Sequence, residues 1–264
     1  MHLSESDLRF VVETVATRRR DYDHIIRLVR GKDDLIEPML EDPSLMERLQ
    51  HDPTALVLAS PRLMFAVLLR RVRRDLAGQS FVLDRDARGR RIPVFEAAQA
   101  GQLLGEPPLR EYLVGMLCSF VRTRSSLVCW QEGRAWRERQ LSDVDMDDMM
   151  VLCQLVETPF KPRLYQRIAD IALFLSGIYP QHAVRAGRSR REIGRTLPDY
   201  EREGRRFYTL AARETEPAGT ARVLESLSEK FTLAREALNA LSDHYLSPLR
   251  DRYFRHPAAE RPPR

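Results

Sequence analysis

Apolar residues recur at helical spacing along most of the chain, and the pattern is clearest near the start. There they lie three, four and seven positions apart, as on one face of an amphipathic helix. These residues are Leu8, Val11, Val12, Val15, Tyr22, Ile25, Ile26 and Val29. Ser4 and Asp7 form a capping box in front of them. Arginines at positions 18–20 interrupt the apolar face, which predicts either a break in the helix or an arginine directed inward.

Three further helix starts place a capping side chain directly before a proline, which suits the first position of a helix. They are Asp42-Pro43, Asp52-Pro53 and Ser60-Pro61. The helix that begins at Pro61 has an apolar face that should be buried. Its other face carries arginines that we expect in solvent, namely Arg70, Arg71, Arg73 and Arg74.

The same periodicity predicts helices over most of the remaining chain. Their expected ranges are Glu96 to Leu104, Pro108 to Arg122, Asp143 to Glu157, Pro162 to Ser176, Asp199 to Arg213 and Pro217 to Tyr245. The last two should form a long helical hairpin. Residues on the apolar faces that we expect to be buried are Val11, Val15, Ile25, Leu68, Leu117, Ile171 and Phe231.

Two segments change from helical spacing to the pattern of strands. Residues 81–83 with 92–95, and residues 127–130 with 135–139, each predict a β-hairpin. Pro93 confines its strand to an edge, and Gly133 supplies the second turn. The predicted fold class is therefore mainly α, a bundle-like multi-helix architecture with two short β-hairpins.

We expect a single helical domain over residues 1–255 and leave open a sub-boundary near residues 181–195, where the chain is basic and contains glycine. Residues 256–264 are rich in proline and arginine, which predicts a disordered tail.

The composition is that of a folded protein with a charged surface. The chain has 264 residues, of which 43% are hydrophobic and 31% charged, and its net charge is +5. This modest excess permits attraction to nucleic acid without implying it. Only Lys32, Lys161 and Lys230 are lysines among the 43 basic residues. Arginine suits phosphate binding, but arginines occur in every segment, so we favour a genome rich in arginine codons as the explanation.

The expected location is the cytoplasm. The first residues are polar, unlike a signal peptide. No apolar run approaches the roughly 20 residues that a membrane span needs, so no membrane association is expected. Cys118, Cys129 and Cys153 are odd in number and isolated, which fits a reducing compartment.

No familiar catalytic or metal-binding motif occurs in the sequence. The six histidines are scattered, and no C-x-x-C, H-E-x-x-H, G-x-S-x-G or glycine-rich phosphate loop is found. We therefore predict no metal and no cofactor. Four aspartates crowd one predicted helix start, and capping explains them better than calcium binding. They are Asp143, Asp145, Asp147 and Asp148.

Asp170 stands in an otherwise apolar run, where an ionised carboxylate needs a partner. We favour an ion pair with Arg167 or Arg163 that locks two helices together. A pocket formed by Tyr165, Arg167, Asp170 and His182 is the alternative.

Three groups of arginines suggest nucleic-acid binding as an alternative function. Two lie on the predicted hairpins and the third in the basic segment, where guanidinium groups can grip phosphates. They are Arg88, Arg90 and Arg91; Arg134, Arg137 and Arg139; and Arg185, Arg188, Arg190, Arg191 and Arg195. A solvated basic surface is the simpler interpretation, because few aromatic residues stand among them.

The segment Arg167 to Pro180 (RIADIALFLSGIYP), followed by Tyr200, Gly204 and Tyr208, resembles a group of uncharacterised bacterial helical proteins. The likeness covers about a sixth of the chain. It implies a helical fold and transfers no site.

The leading hypothesis is a non-enzymatic helical interaction or regulatory protein. The two C-terminal helices carry more apolar positions than they need for each other, so we expect a homodimer or another protein partner. Nucleic-acid binding is the first alternative, and a helical enzyme with an unfamiliar site is the second.

Overall fold

The computed structural model describes residues 3–52, 54–85, 91–94, 96–122, 125–133, 135–181 and 195–246. The protein is mainly helical with two β-hairpins, as predicted. In the first part of the chain, helices α1 to α6 span Glu5–Val15, Tyr22–Val29, Asp33–Leu40, Pro43–His51, Ala55–Leu58 and Pro61–Ala77. Strands β1 (Val82–Arg85) and β2 (Arg91–Val94) then form the first hairpin.

Helices α7 (Ala97–Gly105) and α8 (Pro107–Ser119) precede the second hairpin, which consists of β3 (Ser125–Glu132) and β4 (Ala135–Ser142). The remaining helices are α9 (Met146–Leu155), a short 3-10 turn (Thr158–Phe160), α10 (Lys161–Ile178), α11 (Leu197–Glu214), α12 (Ala218–Glu229), α13 (Phe231–Leu241) and a π-helical turn (Ser242–Leu246). None of the described helices is both long and apolar enough to cross a lipid bilayer.

The N-terminal apolar stripe forms two helices, because the chain breaks between α1 and α2 at the arginines of positions 18–20, which are exposed. The predicted capping box is present, with the Ser4 hydroxyl accepting from the Asp7 N–H at 3.1 Å. Asp7 also accepts from the backbone N–H of Ser60 at 3.0 Å. The start of α1 is thereby tied to the start of α6.

Two of the three predicted proline starts are confirmed. Asp42 and Ser60 cap α4 and α6, and proline occupies the first turn of each. At the third, the Asp52 carboxylate accepts from the Thr54 N–H at 2.9 Å, and α5 begins only at Ala55. Pro53 lies outside the described residues.

Helix α10 lies at the centre of the fold. Every residue from Ile168 to Ile178 is buried, and α9, α11 and α13 pack around this segment. Helix α8 contributes Phe120, at its C-terminal end, whose ring stacks on that of Phe174 with centroids 4.1 Å apart. Because the helix is buried on all sides, it needs a partner on each side.

Two glycines let helices approach α13 closely. A Cβ atom added at Gly177 of α10 would lie 2.7 Å from the Cβ of Leu238, and one at Gly204 of α11 would lie 2.3 Å from a ring carbon of Phe231. Both distances are far below van der Waals contact, so these positions exclude every larger residue in the present packing.

Side chains of α13 and the following turn satisfy the last carbonyl groups of α10. The Ser242 hydroxyl donates to the oxygen of Ile178 at 2.9 Å. The side-chain amide of Asn239 is assigned with its nitrogen toward Gly177, and it then donates to the backbone oxygen of Gly177 at 2.7 Å. Buried helix ends need such partners.

The prediction of one continuous helix from Pro217 to Tyr245 is wrong in one respect. The chain forms two helices here, α12 and α13, which are separated at Lys230. Arg205 of α11 donates to the carbonyl oxygens of Ser228 and Glu229, at 2.9 and 2.6 Å. These carbonyls end α12, so a side chain from a neighbouring helix supplies hydrogen bonds that a continuous helix would have formed internally.

Other helices of the same chain bury the additional apolar residues of the C-terminal helices. Helix α11 packs on α10 and α12, and α13 packs on α10, α6 and α7. The sequence argument for a homodimer thus loses its premise, and the homodimer itself stays a prediction.

Arg70 of α6 is buried, whereas the sequence pattern predicted that it would face solvent. It pairs with Glu37 of α3, whose second carboxylate oxygen pairs with Arg110 of α8. The two arginine side chains are 4% and 5% exposed, whereas that of Glu37 is 34% exposed. One carboxylate therefore binds two buried guanidinium groups and joins three helices.

Most of the predicted core positions are buried. Val11, Leu68, Leu117, Ile171 and Phe231 are confirmed. Val15 and Ile25 are only partly buried, because they lie beside the break between α1 and α2 and pack against the edge of the core.

Replacement of Gly204 by alanine should lower the free energy of unfolding by about 1–3 kcal/mol, because the added methyl group overlaps Phe231. Gly115→Ala is the matched control, since nothing lies within 4 Å of a Cβ there. In this control the free energy of unfolding should rise by up to about 1 kcal/mol, because alanine has a higher helix propensity than glycine. Urea unfolding measures both, and equal stability of the two variants would contradict close packing at Gly204.

Glu37→Gln should destabilise the protein by about 2–3 kcal/mol, because it removes the carboxylate charge that both buried guanidinium groups bind. We expect a smaller loss of stability than for a fully buried ion pair, since Glu37 is partly exposed. The control Glu5→Gln removes the exposed pair with Arg30 and should cost at most about 1 kcal/mol. If denaturant titration gives similar losses for both variants, Glu37 does not hold the three helices together.

Candidate functional site

Asp170, the centre of the predicted pocket, is buried in α10 and bonded to two tyrosines. Tyr112 of α8 and Tyr208 of α11 each donate a hydroxyl hydrogen bond to its Oδ1 atom, at 2.7 and 2.8 Å. The predicted direct pairing with an arginine is not observed. Instead, hydroxyl groups from two other helices satisfy the carboxyl group.

Arg167 forms its hydrogen bonds with groups other than Asp170. Its side chain donates to the backbone oxygen of Asp143 at 2.8 Å and to the Ser119 hydroxyl at 2.7 Å. Its guanidinium carbon also lies 4.0 Å from the centre of the Phe120 ring. Tyr165 packs against Phe207.

None of the cavities described reaches the Asp170 cluster. None of Tyr165, Arg167 and Asp170 lines a described cavity, and His182 lies outside the described residues. The arrangement joins α8, α10 and α11 rather than presenting a reactive group.

Burial raises the pKa of Asp170 to about 6, against the opposing effects of the two tyrosine hydrogen bonds and the charge of Arg167. Burial and the neighbouring carboxylate likewise raise the pKa values of Tyr112 and Tyr208 well above their ordinary range. The folded state therefore binds the Asp170 proton more tightly than the unfolded chain does.

The four clustered aspartates have structural partners. Asp145 caps α9 by accepting from the N–H groups of Asp147 and Asp148, at 2.9 and 3.1 Å. Asp143 contacts Arg167, and Asp147 contacts Arg195. Among the described residues, no group of three or more histidine, cysteine or acidic side chains is arranged to hold a metal ion.

Most of the predicted phosphate-binding arginines fall outside the described residues. These are Arg88, Arg90, Arg134, Arg185, Arg188, Arg190 and Arg191. Arg91 is placed only as a backbone position in β2, and Arg137 is an exposed residue of β4.

The other two arginines are bound to carboxylates. Arg139 of β4 donates to Asp148 at 2.5 Å. Arg195 donates to Asp147 and to Glu203, both at 2.6 Å, and so connects α9 with α11. Both guanidinium groups have a carboxylate partner in this structure, which reduces their availability to phosphate.

A groove of about 360 Å³ lies between the start of α1 and the turn from α2 to α3. Its floor is apolar, and the ion pair of Glu5 with Arg30 borders it. Ser4, the hydroxyl group at its edge, already caps α1. No convergent set of acids, bases or nucleophiles lines this groove, and the sequence did not indicate it.

The hairpin of β3 and β4 is held to the body at its base. Leu141 is buried, and Asp148 in the first turn of α9 accepts from Arg139 and, at 2.9 Å, from the N–H of Ser142. The two strands pair without a bulge from Ser125 opposite Ser142 to Glu132 opposite Ala135.

Beyond this base, most described side chains of the second hairpin face solvent. Leu127 is 66% exposed, and Cys129, Gln131, Glu138 and Gln140 are exposed as well. Beyond its pairing with β3, β4 packs mainly against α9. An isolated two-stranded hairpin is marginally stable by itself, so an exposed one of this length is the described feature best suited to contact another molecule.

Sequence reasoning found this hairpin but underestimated its length. The predicted strands covered residues 127–130 and 135–139, whereas the observed strands span residues 125–132 and 135–142. The turn signal was reliable, since Gly133 has a positive φ of 62°. Nothing in the pattern indicated which strand edges would remain open.

No protein-family model matches the chain, and no curated protein or solved structure shows detectable similarity to it. The resemblance of residues 167–180 to bacterial helical proteins therefore stays a sequence-based expectation. Any function must be argued from the geometry.

Asp170→Asn should change how stability depends on pH. Protonation of Asp170 contributes stability that is fully present below its unfolded pKa near 4 and is lost as pH rises through about 6. As pH rises over that interval, the free energy of unfolding of the asparagine variant should therefore increase relative to that of the wild type, by up to about 1.4 kcal/mol per pH unit. Denaturant unfolding at pH 4 to 8 measures the difference.

Tyr112→Phe is the companion variant. It removes a hydrogen bond that lowers the pKa of Asp170, so the upper end of the pH interval should move to higher pH. A constant stability difference between Asp170→Asn and the wild type over the whole range would show that Asp170 does not titrate there.

Proposed function

We propose that this chain is a non-enzymatic interaction protein that binds another polypeptide through the hairpin of β3 and β4. The single observation that carries the proposal is this hairpin, with its base fixed to α9 and its outer part exposed. The fixed base positions the exposed strands. Within the described part of the chain they pair only with each other, so their outer edges offer backbone hydrogen bonds to an incoming strand.

The chemistry of the hairpin favours a polypeptide over a small molecule. It offers extended backbone and an exposed leucine, Leu127, and no cavity lies against it among the cavities described. Small ligands bind in concave sites. Strand addition to a sheet edge needs no cavity.

The two alternative functions receive less support. The titratable cluster at Asp170 lines no described cavity, which weakens the case for an enzyme. Arg139 and Arg195, two of the predicted phosphate-binding residues, are paired with carboxylates. Nucleic-acid binding stays a prediction, because most of its residues lie outside the described part of the chain.

The proposal is tested by site-specific photo-crosslinking in the cells that make the protein. A photoreactive side chain at Glu138, exposed on β4, should give a discrete adduct with a polypeptide. The same group at Glu225, exposed on α12, is the matched control and should give none.

Mass spectrometry of the adducts separates the outcomes. Equal adducts at both positions, or none at Glu138, would contradict the proposal. An adduct at Glu138 that a nuclease digests would support nucleic-acid binding instead.

A further inference from the structure

The groove between the start of α1 and the turn from α2 to α3 has the size of a small-ligand site. Its volume of about 360 Å³ lies within the range of ligand pockets, which runs from about 300 to 1,000 Å³. Its walls come from the start of α1, the end of α2 and the start of α3. None of its lining residues belongs to the hairpin of β3 and β4, so a ligand here would bind apart from the proposed polypeptide site.

Four aliphatic side chains form the apolar wall of the groove. They are Leu3, Leu8, Val29 and Ile36, and all four belong to the hydrophobic core. Because each is between 4% and 9% exposed, the core holds them in place. A fixed, concave apolar wall favours a ligand with an apolar part that displaces water from it.

The charged groups at the rim favour an anion. Glu5 of α1 and Arg30 at the end of α2 join the two walls as an ion pair of 2.6 Å. Asp33 likewise has an interaction of its own. Lys32 is exposed and forms no ion pair with a carboxylate in the described part of the chain. Its ammonium group is therefore the charge at the rim that a ligand can neutralise without breaking an existing pair.

The ion pair of Glu5 with Arg30 leaves the guanidinium group accessible to a ligand. The two side chains are 68% and 53% exposed, and exposed ion pairs contribute little to stability. A ligand carboxylate can therefore replace that of Glu5 on the guanidinium group, where it can accept two parallel hydrogen bonds. Lys32 and Arg30 then both hold the head group of the ligand.

We propose that this groove binds a small amphiphilic carboxylate, with its apolar chain against the aliphatic wall and its head group at Lys32 and Arg30. One water molecule occupies about 30 Å³, so a groove of about 360 Å³ holds a ligand of about ten to twelve non-hydrogen atoms. A straight-chain carboxylate of about eight carbon atoms has this size. Ligands of this size bind with dissociation constants of about 0.1–1 mM.

Titration of the full chain with sodium octanoate tests the proposal. Calorimetry measures the affinity, and NMR of methylated lysines locates the site. The chain has three lysines, Lys32, Lys161 and Lys230, and reductive methylation with carbon-13 formaldehyde labels them without removing their charge. Octanoate should shift the Lys32 signal until it saturates and leave the other two lysine signals unchanged, relative to sodium chloride at the same concentration. Lys32→Arg assigns the signal.

Lys32→Glu should weaken octanoate binding by about fivefold or more, because it places a carboxylate beside the head group of the ligand. Arg27→Glu is the matched control, since Arg27 is exposed on α2 but does not line the groove. The same change of net charge there should alter the affinity by less than about twofold, because salt screens distant exposed charges. Circular dichroism shows whether both variants retain their helical content.

The apolar wall predicts a dependence on the length of the ligand chain. From hexanoate to octanoate, each added methylene group should strengthen binding by about three- to fourfold. Dodecanoate should gain no further in proportion, because its chain exceeds the volume of the groove. Octylammonium has the same chain as octanoate with the opposite charge, and should bind at least about tenfold more weakly.

Three results would overturn the proposal. The first is the absence of saturable octanoate binding up to about 10 mM, which is well above the expected dissociation constant. The second is equal weakening by Lys32→Glu and Arg27→Glu, which would indicate attraction by the overall charge. The third is octylammonium binding as tightly as octanoate, which would show that the rim does not select an anion.

Discussion

The buried half of α10 constrains the rest of the structure. Between Ile168 and Ile178 no face of this helix is left to solvent, so neighbours must cover it on every side. Helices α9, α11 and α13 do so, and Phe120 beside α8 stacks on Phe174. The packing is close because glycine at Gly177 lets α10 approach Leu238 of α13. The arrangement of the central helices follows from this requirement.

Polar groups inside this packing determine which helices meet. Asp170 joins α10 to α8 and α11 through two tyrosine hydroxyl groups, and Glu37 joins α3 to α6 and α8 through two arginines. Each of these carboxylates would be costly without its partners. Such bonds contribute modest net stability, but an arrangement that left any of these groups unpaired would be much less stable. They therefore favour one packing over others of similar apolar burial.

The two hairpins differ in their relation to this core. The first is short, contains Pro93 and packs against α13. The second is twice as long, and only its base is fixed, through Leu141 and the bonds of Asp148 to Arg139 and Ser142. Its outer strand β3 is uncharged over most of its length. Unpaired backbone groups on such an edge favour pairing with another strand, which is the physical basis of the proposed interaction.

The sequence by itself determined the helical class, both hairpins and several helix starts, because these depend on local periodicity and on capping groups within a few residues, such as Ser4 and Asp7. Only the tertiary structure decided which polar groups meet. Arg205 ends α12 from another helix, and the partners of Asp170 stand 58 and 38 positions away in the chain. The sequence likewise could not predict the open edge of β3, because an edge is open only when no other strand packs beside it. Spacing along a chain reports contacts between near neighbours, whereas long-range contacts depend on how all the helices pack together.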